Sequence, residues 1–345
     1  MSCRRRRCPS DPRVAAWAAI VAVWIAAFLP ATSPAAQGVL SAELPGELKA
    51  VSVSGGNVDL ETDAGRTYRL QHKDGRLVLR PGGTAEAVDV TDRLPDAVVV
   101  RDPSGLRAWL GGATERYRHG ILSDRIEASR LYAALPGERR REISIELGPD
   151  SVFEDLQPRF VDAGGDGGPG ILVVKSYVSA GAAAALYRVQ DDRILPVAET
   201  DPIGAPNRWL KPVGVADFDG DGRPELAVVL TPHIGGMLTF YRLEDGRFRR
   251  LLSVPGVSNH AIGSRTLQQA AIADFDGDGT ADIAVPSQDR RRLLLVSFAG
   301  AHFREIGRIE AAAPITGAVA AADIDGNGRP DAIFGVAGRL FVVLR

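Results

Sequence analysis

The chain has 345 residues, a formal net charge of −2 and only 6% aromatic residues, with 38 Gly and 22 Pro. That is enough chain for one large all-β domain or two ordinary ones, and the Gly and Pro suit many short strands and turns. Nothing in the chain suggests nucleic-acid binding: the short arginine runs at 139–141, 249–250 and 290–292 fall at expected turns and read as solvated hairpin tips rather than a phosphate-tracking stripe.

In chain order, Arg4 to Arg7 and Arg13 precede an apolar run from Val14 to Leu29. Pro30 and the small residues Ser33 to Ala36 then offer cleavage after Ala35. The run is shorter than the about 20 residues of a membrane span, so residues 1–36 read as a secretory signal peptide, the alternative being an uncleaved anchor. Cys3 and Cys8 both fall in this segment without a lipobox, which leaves the mature chain without thiols, disulfides or lipid attachment. Cleavage also removes five Arg and Asp11, leaving a charge of about −6. The expected location is the periplasm or outside the cell, with no stable membrane span left.

Residues 37–150 read as degenerate opening units. Val51-Ser-Val53, Val58-Asp-Leu60, Tyr68-Arg-Leu70 and Leu77-Val-Leu79 alternate like strands. A second unit carries an insertion from Gly111 to Arg130, in which Ser123 to Leu131 is expected as a short helix capped by Ser123 or Asp124. Pro95-Asp-Ala-Val-Val-Val100 is a faint echo of Pro330-Asp-Ala-Ile-Phe334.

Residues 151–345 hold the strongest signal. Asp217-Phe-Asp219-Gly-Asp221-Gly-Arg223-Pro-Glu225, Asp274-Phe-Asp276-Gly-Asp278-Gly-Thr280-Ala-Asp282 and Asp323-Ile-Asp325-Gly-Asn327-Gly-Arg329-Pro-Asp331 share one frame. Oxygen side chains stand at positions 1, 3, 5 and 9, with Gly at 4 and 6. Acids so close repel one another, and a hard cation is the natural reason to keep them. Ca²⁺ takes six to eight oxygens in flexible geometry, and the carbonyls of Arg223, Thr280 and Arg329 are the expected backbone ligands. The three loops bring eleven carboxylates, which three Ca²⁺ and the rest of the mature chain would roughly balance. Position 12 is Val228, Val285 and Phe334 rather than Glu, so an EF-hand is rejected. Short apolar runs on both sides of each loop read as buried antiparallel strands. Asp162 to Gly170 repeats the frame with Gly164 and Gly170 in place of two ligands, so only Asp162 and Asp166 remain and little or no metal is expected there. Further strand pairs turn at Glu244-Asp-Gly246 and Gln190-Asp-Asp192, giving four strands per unit of about fifty residues.

These loops between apolar strands resemble FG-GAP/VCBS-type repeats, the blades of integrin-like β-propellers. The resemblance is clear from residue 150 onward and faint between 89 and 149. It implies an all-β propeller of six or seven four-stranded blades, with Asp-x-Asp-Gly-Asp-Gly calcium loops joining the first and second strands of a blade. Asn327, in place of the third acid, lowers the charge of the last loop. An N-terminal strand is expected to complete the blade that ends at Leu340-Phe-Val-Val-Leu344.

Residues just outside the loop-flanking strands should gather on the face away from the metal. Lys175, Asn207, Arg208, Trp209, His233, Asn259, His260 and Arg265 are the candidate ligand face, and His119 could reach it from the insertion. Basic, amide and aromatic groups there would suit an anionic or sugar-like ligand. Each also has a plainer reading: solvated loop arginines, a packing Trp209, and histidines that only hydrogen-bond. No nucleophile elbow, P-loop or dinucleotide fingerprint occurs. The expectation is an exported, monomeric, calcium-stabilised module binding a protein or carbohydrate ligand. A carbohydrate-active enzyme, lyase or glycosidase, on the same scaffold is the alternative, and a purely structural envelope component a third.

Overall fold

A computed structural model describes residues 38–83, 88–137, 141–164 and 168–345. The expected signal peptide and Asp166 lie outside the described residues.

The strands form antiparallel meanders in chain order. β1 (Gly38–Glu43) stands apart from the first meander, which is β2 (Leu48–Ser54), β3 (Asn57–Thr62), β4 (Thr67–Lys73) and β5 (Arg76–Pro81). The second is β6 (Val100–Arg101), β7 (Arg107–Thr114), β8 (Glu127–Leu135) and β9 (Arg141–Glu146). A short β10 (Ser151–Phe153) pairs with both β8 and the third meander, fusing the two into one nine-stranded sheet. That third meander is β11 (Arg159–Val161), β12 (Gly170–Tyr177), β13 (Gly181–Gln190) and β14 (Arg193–Glu199). The fourth is β15 (Leu210–Ala216), β16 (Glu225–Leu230), β17 (Met237–Glu244) and β18 (Arg247–Pro255). The fifth is β19 (Ala271–Ala273), β20 (Asp282–Pro286), β21 (Arg292–Ser297) and β22 (Arg304–Glu310). The sixth has β23 (Val319–Ala322), β24 (Asp331–Val336) and β25 (Arg339–Leu344), and β1 adds its fourth strand, Gly38 opposite Leu344 and Glu43 opposite Arg339. The strand expected from the N-terminus therefore completes the last sheet.

Local chemistry explains these hairpins. Asp245 and Gly246 (φ 49° and 73°) form the two-residue β17–β18 turn, and Asp191 and Asp192 (φ 49° and 57°) the β13–β14 turn. Two consecutive positive φ values match the twist of antiparallel strands, and Asp and Gly tolerate them. β20 and β24 are buried along their whole length because sheets cover both their faces, which is why they read as unbroken apolar runs. All but one of the core clusters, that of Trp109, Tyr132 and Ala134 within the second meander, join neighbouring meanders; Phe218 and Phe240 of the fourth, for example, pack on Val285 and Phe298 of the fifth. Such clusters link the second to the third, and so on through the sixth to the first. Among the described residues no cluster joins the first to the second. Instead a cavity of about 1260 Å³ opens there, lined also by β15, β19 and β23 residues such as Val213, Ile272 and Ala320.

Two expectations on the second meander fail. Ser123 to Leu131 is not helical: Ser123 has φ 84°, Asp124 Oδ1 accepts the N–H of Ile126 in a turn, and β8 starts at Glu127. Pairing with β7 and β9 overrides local helix preference, and the insertion shrinks to residues 115–126. Pro95 to Val99 is not a second strand either; it lines the cavity, and Asp96 pairs with Arg265. Among the described residues the one helical turn is the 3₁₀ segment Ala299–Ala301, and no helix is long and apolar enough to cross a membrane.

Candidate metal centres

The acidic loops connect β15 to β16, β19 to β20 and β23 to β24. Both glycines of each loop have positive φ: 79° and 86° at Gly220 and Gly222, 79° and 87° at Gly277 and Gly279, 78° and 84° at Gly326 and Gly328. This turns backbone N–H groups onto the first aspartate. Asp217 accepts from Gly220 and Gly222 at 2.8 Å each, Asp274 from Gly277 and Gly279 at 2.7 and 2.9 Å, and Asp323 from Gly326 and Gly328 at 2.7 and 2.9 Å. The ninth-position acid is fully buried and accepts from the N–H of residue 2, as Glu225 does from Phe218 (2.9 Å), Asp282 from Phe275 (2.9 Å) and Asp331 from Ile324 (2.8 Å).

One oxygen each of Asp217, Asp219 and Glu225 lies within 4.8 Å of the others, and so it is for Asp274, Asp276 and Asp282 and for Asp323, Asp325 and Asp331. Asp221 and Asp278 do not join these groups. Their Oδ1 atoms, like that of Asn327, accept the N–H of residue 7, so Arg223, Thr280 and Arg329 are engaged through nitrogen at 2.9, 2.8 and 2.7 Å. Successive loops abut: a Cβ on Gly220 would meet Thr280 Oγ1 at 3.5 Å, and one on Gly277 would meet Arg329 Nη2 at 3.1 Å. At the degenerate loop Asp162 Oδ1 accepts from the Gly164 N–H at 3.0 Å.

The remaining carboxylate oxygens separate the three loops. In the first, Arg242 of β17 donates to Asp219 Oδ2 (2.8 Å), to Glu225 Oε1 through Nε (3.0 Å), and pairs with Asp221 Oδ2 (2.9 Å). In the last, Asp331 Oδ1 accepts the Arg345 N–H (2.8 Å) and Asp325 Oδ2 the Asn327 amide (3.2 Å). In the middle loop Asp282 Oδ1 is buried and makes no hydrogen bond of normal length, and the nearby Ser297 hydroxyl does not outweigh its burial. The half-exposed Arg304 lies 3.9 Å from Asp276 and 3.5 Å from Asp278, and the buried Arg345 guanidinium reaches the Phe275 carbonyl of this loop at 3.0 Å. Burial, and then the Asp276 charge, push Asp282 up to about 6. A buried carboxylate oxygen without a hydrogen bond of normal length is costly, and a hard cation among oxygen ligands would satisfy it. The residues present therefore fit Ca²⁺ best at the Asp274 loop.

The far ends of the same strands carry the expected ligand face, and it assembles in part. Trp209 is buried, stacks on His233 at 6.0 Å between ring centroids and lies 4.7 Å from His260. His260 Nε2 donates to the Ser264 carbonyl (2.9 Å), so its Nδ1 accepts from His233 Nε2 at 2.9 Å. Burial pushes both down, to about 4 for His233 and about 3 for His260, which keeps the pair neutral. Asn259 is buried and donates to the Lys211 carbonyl (3.2 Å), and the Asn207 N–H donates to Tyr117 (2.9 Å). Lys175 is held by Glu199 (3.0 Å) and Tyr177 (2.6 Å), and the only side-chain bond of Arg208 among the described residues is to the Asn207 carbonyl (3.3 Å). Arg265 bonds Asp124 (2.9 Å) and Ser123 (2.9 Å) of the insertion.

Beneath that face lie groups of which the sequence singles out His119 alone. His119 Nδ1 lies 2.7 Å from Glu154 Oε1, and Ser176 donates to the other oxygen of this buried carboxylate. Glu127, also buried, is pushed up to about 10 by burial and by Glu154. Lys211 is buried with Nζ unpartnered, and burial and Arg159 bring it down to about 7, against the pull of Asp155. Burial raises Asp155, but Arg159 and Lys211 outweigh it and leave it below the usual range. No spacing in the sequence marks these residues; their proximity comes from strand packing.

Residues 217–285, spanning the first two acidic loops, match the family model of an FG-GAP-like repeat. No curated protein matches the chain.

Proposed function

We propose that this FG-GAP-like repeat chain is an exported β-propeller of six four-stranded blades, held together by structural calcium, that binds a protein or carbohydrate ligand without chemistry. The six meanders, the β1–β25 pairing, the core clusters between neighbours and the repeat match at 217–285 all support that architecture. One observation carries the calcium reading: the buried Asp282 Oδ1, which makes no hydrogen bond of normal length, beside Asp274 and Asp276. Asp274, Asp276 and Asp282 would hold the ion, which neutralises the loop and links folding to metal concentration. Export rests on the N-terminal sequence, and a cytoplasm poor in calcium would not load such sites.

The ligand face is the Trp209–His233–His260 cluster with Arg208 at its rim. Its histidines are neutral and bonded to each other, an arrangement that supports packing and recognition more than proton transfer. A second reading, an enzyme, is favoured by the His119–Glu154 pair, in which a buried carboxylate orients an imidazole. The test is to probe a glycan microarray and a peptide array with the labelled mature chain in millimolar Ca²⁺, then assay every bound polysaccharide for new reducing or unsaturated ends. Retention that is lost in Trp209→Ala, with no cleavage, is expected. Cleavage that depends on His119 would replace the binding reading with the enzyme.

A further inference from the structure

We infer that the three acidic loops are not equivalent: Arg242 is the resident cation of the Asp217 loop, which takes no calcium, and the Asp274 loop is the primary calcium site. The inference rests on the calcium reading above.

The argument is a census of oxygens. In the Asp217 loop every carboxylate oxygen meets a donor. Asp217 uses both on glycine N–H groups, Asp219 Oδ1 accepts from Asp221 N (3.2 Å), and Asp221 Oδ1 from Arg223 N (2.9 Å). Glu225 Oε2 accepts from Phe218 N and Asp219 N (2.9 and 3.4 Å). The three left over, Asp219 Oδ2, Asp221 Oδ2 and Glu225 Oε1, are those that Arg242 takes. A planar guanidinium with a fixed fork of N–H groups fills the space between carboxylates and cannot be titrated away. It is also only 8% exposed, so it is built into the wall and is no wandering surface side chain.

Ca²⁺ would need those same lone pairs at 2.3–2.6 Å, with a fixed positive charge beside it. The two cations compete for one place. The Asp274 loop is the converse, with the same backbone and the same first-aspartate bonds. Its buried Asp282 oxygen has the neutral Ser297 hydroxyl near it in place of a guanidinium and makes no hydrogen bond of normal length. Register accounts for the difference. Arg242 stands opposite Glu225 in β17, and Arg188 opposite Gly170 in β13. In the fifth meander, where Ile283 faces Val296, the next pair brings Ser297 to Asp282. A guanidinium on the strand opposite the ninth position is thus a feature of the third and fourth meanders that the fifth lacks. Arg345, from the sixth, bonds the Phe275 carbonyl of the Asp274 loop and, among the described residues, takes none of that loop's carboxylate oxygens.

Calcium stoichiometry of the apo mature chain, measured by equilibrium dialysis and calorimetric titration with CaCl₂ alone, tests this. Fewer than three ions should bind, the tight one lost in Asp282→Asn and unaffected by Asp219→Asn. Arg242→Met should add one ion. Three ions in the wild-type chain, a lost ion in Asp219→Asn, or no gain in a folded Arg242→Met would overturn the role of Arg242 and leave the calcium reading standing. If Arg242→Met does not fold, the Asp219→Asn and Asp282→Asn pair decides alone. No binding by any form would sink the calcium reading itself, and this inference with it.

Discussion

The guanidinium of Arg345 donates to the Phe275 carbonyl through Nε at 3.1 Å and Nη2 at 3.0 Å, joining the sixth meander to the middle acidic loop of the fifth. The same residue gives its N–H to Asp331 Oδ1 and receives the Asn327 amide on its own carbonyl, each at 2.8 Å. One residue therefore fixes two neighbouring loops. Arg345→Ala leaves the Phe275 carbonyl without its charged donor and should cost about 1–3 kcal/mol in urea unfolding, with a weaker calcium response at the Asp274 loop. Arg345→Lys should recover only part of this, since an ammonium lacks the fork. Wild-type stability in the alanine variant would contradict the coupling.

Loop by loop, the acids should matter unequally. Asp276→Ala with Asp278→Ala should lower the melting temperature in calcium and erase much of the calcium response. Asp162→Ala should do far less, because its loop has Gly164 and Gly170 in place of two ligands. Melting curves with and without Ca²⁺ compare them, and equal losses would contradict this ranking.

Lys211 should leave a signature in pH. Its ammonium titrates near 10.5 when exposed and at about 7 in the fold, where burial disfavours the charge. Between those values the unfolded chain holds one proton more, so this residue's contribution to stability improves as pH rises, by up to about 1.4 kcal/mol per unit. Below about pH 7 the penalty is present in full. Lys211→Met should therefore stabilise the protein most near neutrality, its advantage shrinking toward pH 10. Glu127 titrates in both proteins and drops out of the difference. A gap between variant and wild type that stays constant from about pH 6 to 10 would contradict the buried, shifted lysine.

The acidic loops and their flanking strands were legible because one nine-residue frame repeats and because Gly at positions 4 and 6 has a single backbone meaning. The turns at Asp245-Gly246 and Asp191-Asp192 were legible for the same local reason. What the sequence hid depends on packing between distant strands. Ser123 to Leu131 carries local helix signals, but β7 and β9 claim it as a strand. The echo of Pro330–Phe334 at Pro95–Val100 says nothing of the Asp96–Arg265 pair, which joins residues far apart in the chain. Arg242 had a faint signal, since Tyr241-Arg242 and Tyr187-Arg188 recur in the third and fourth units while Val296-Ser297 stands in the fifth. Its meaning appears only once the register sets it opposite Glu225. The His119–Glu154 contact spans 35 residues and has no sequence signature.

Arg265 ties the 115–126 insertion to the fifth meander through Asp124 and also pairs with Asp96, but its side chain is 46% exposed. Exposed pairs contribute less than about 1 kcal/mol, so Arg265→Ala should hardly move the melting temperature. The insertion should instead be cleaved faster in limited proteolysis, near residues 115–126. A large loss of global stability would show that the contact does more than hold the insertion.

The most direct test of the account is thermal unfolding of the mature chain, residues 36–345, in excess EDTA, in millimolar Ca²⁺ and in millimolar Mg²⁺. A melting temperature several degrees higher in Ca²⁺, unmatched by Mg²⁺, is the predicted result. Identical curves in all three would mean that the acidic loops are metal-free turns, and the calcium account would be wrong.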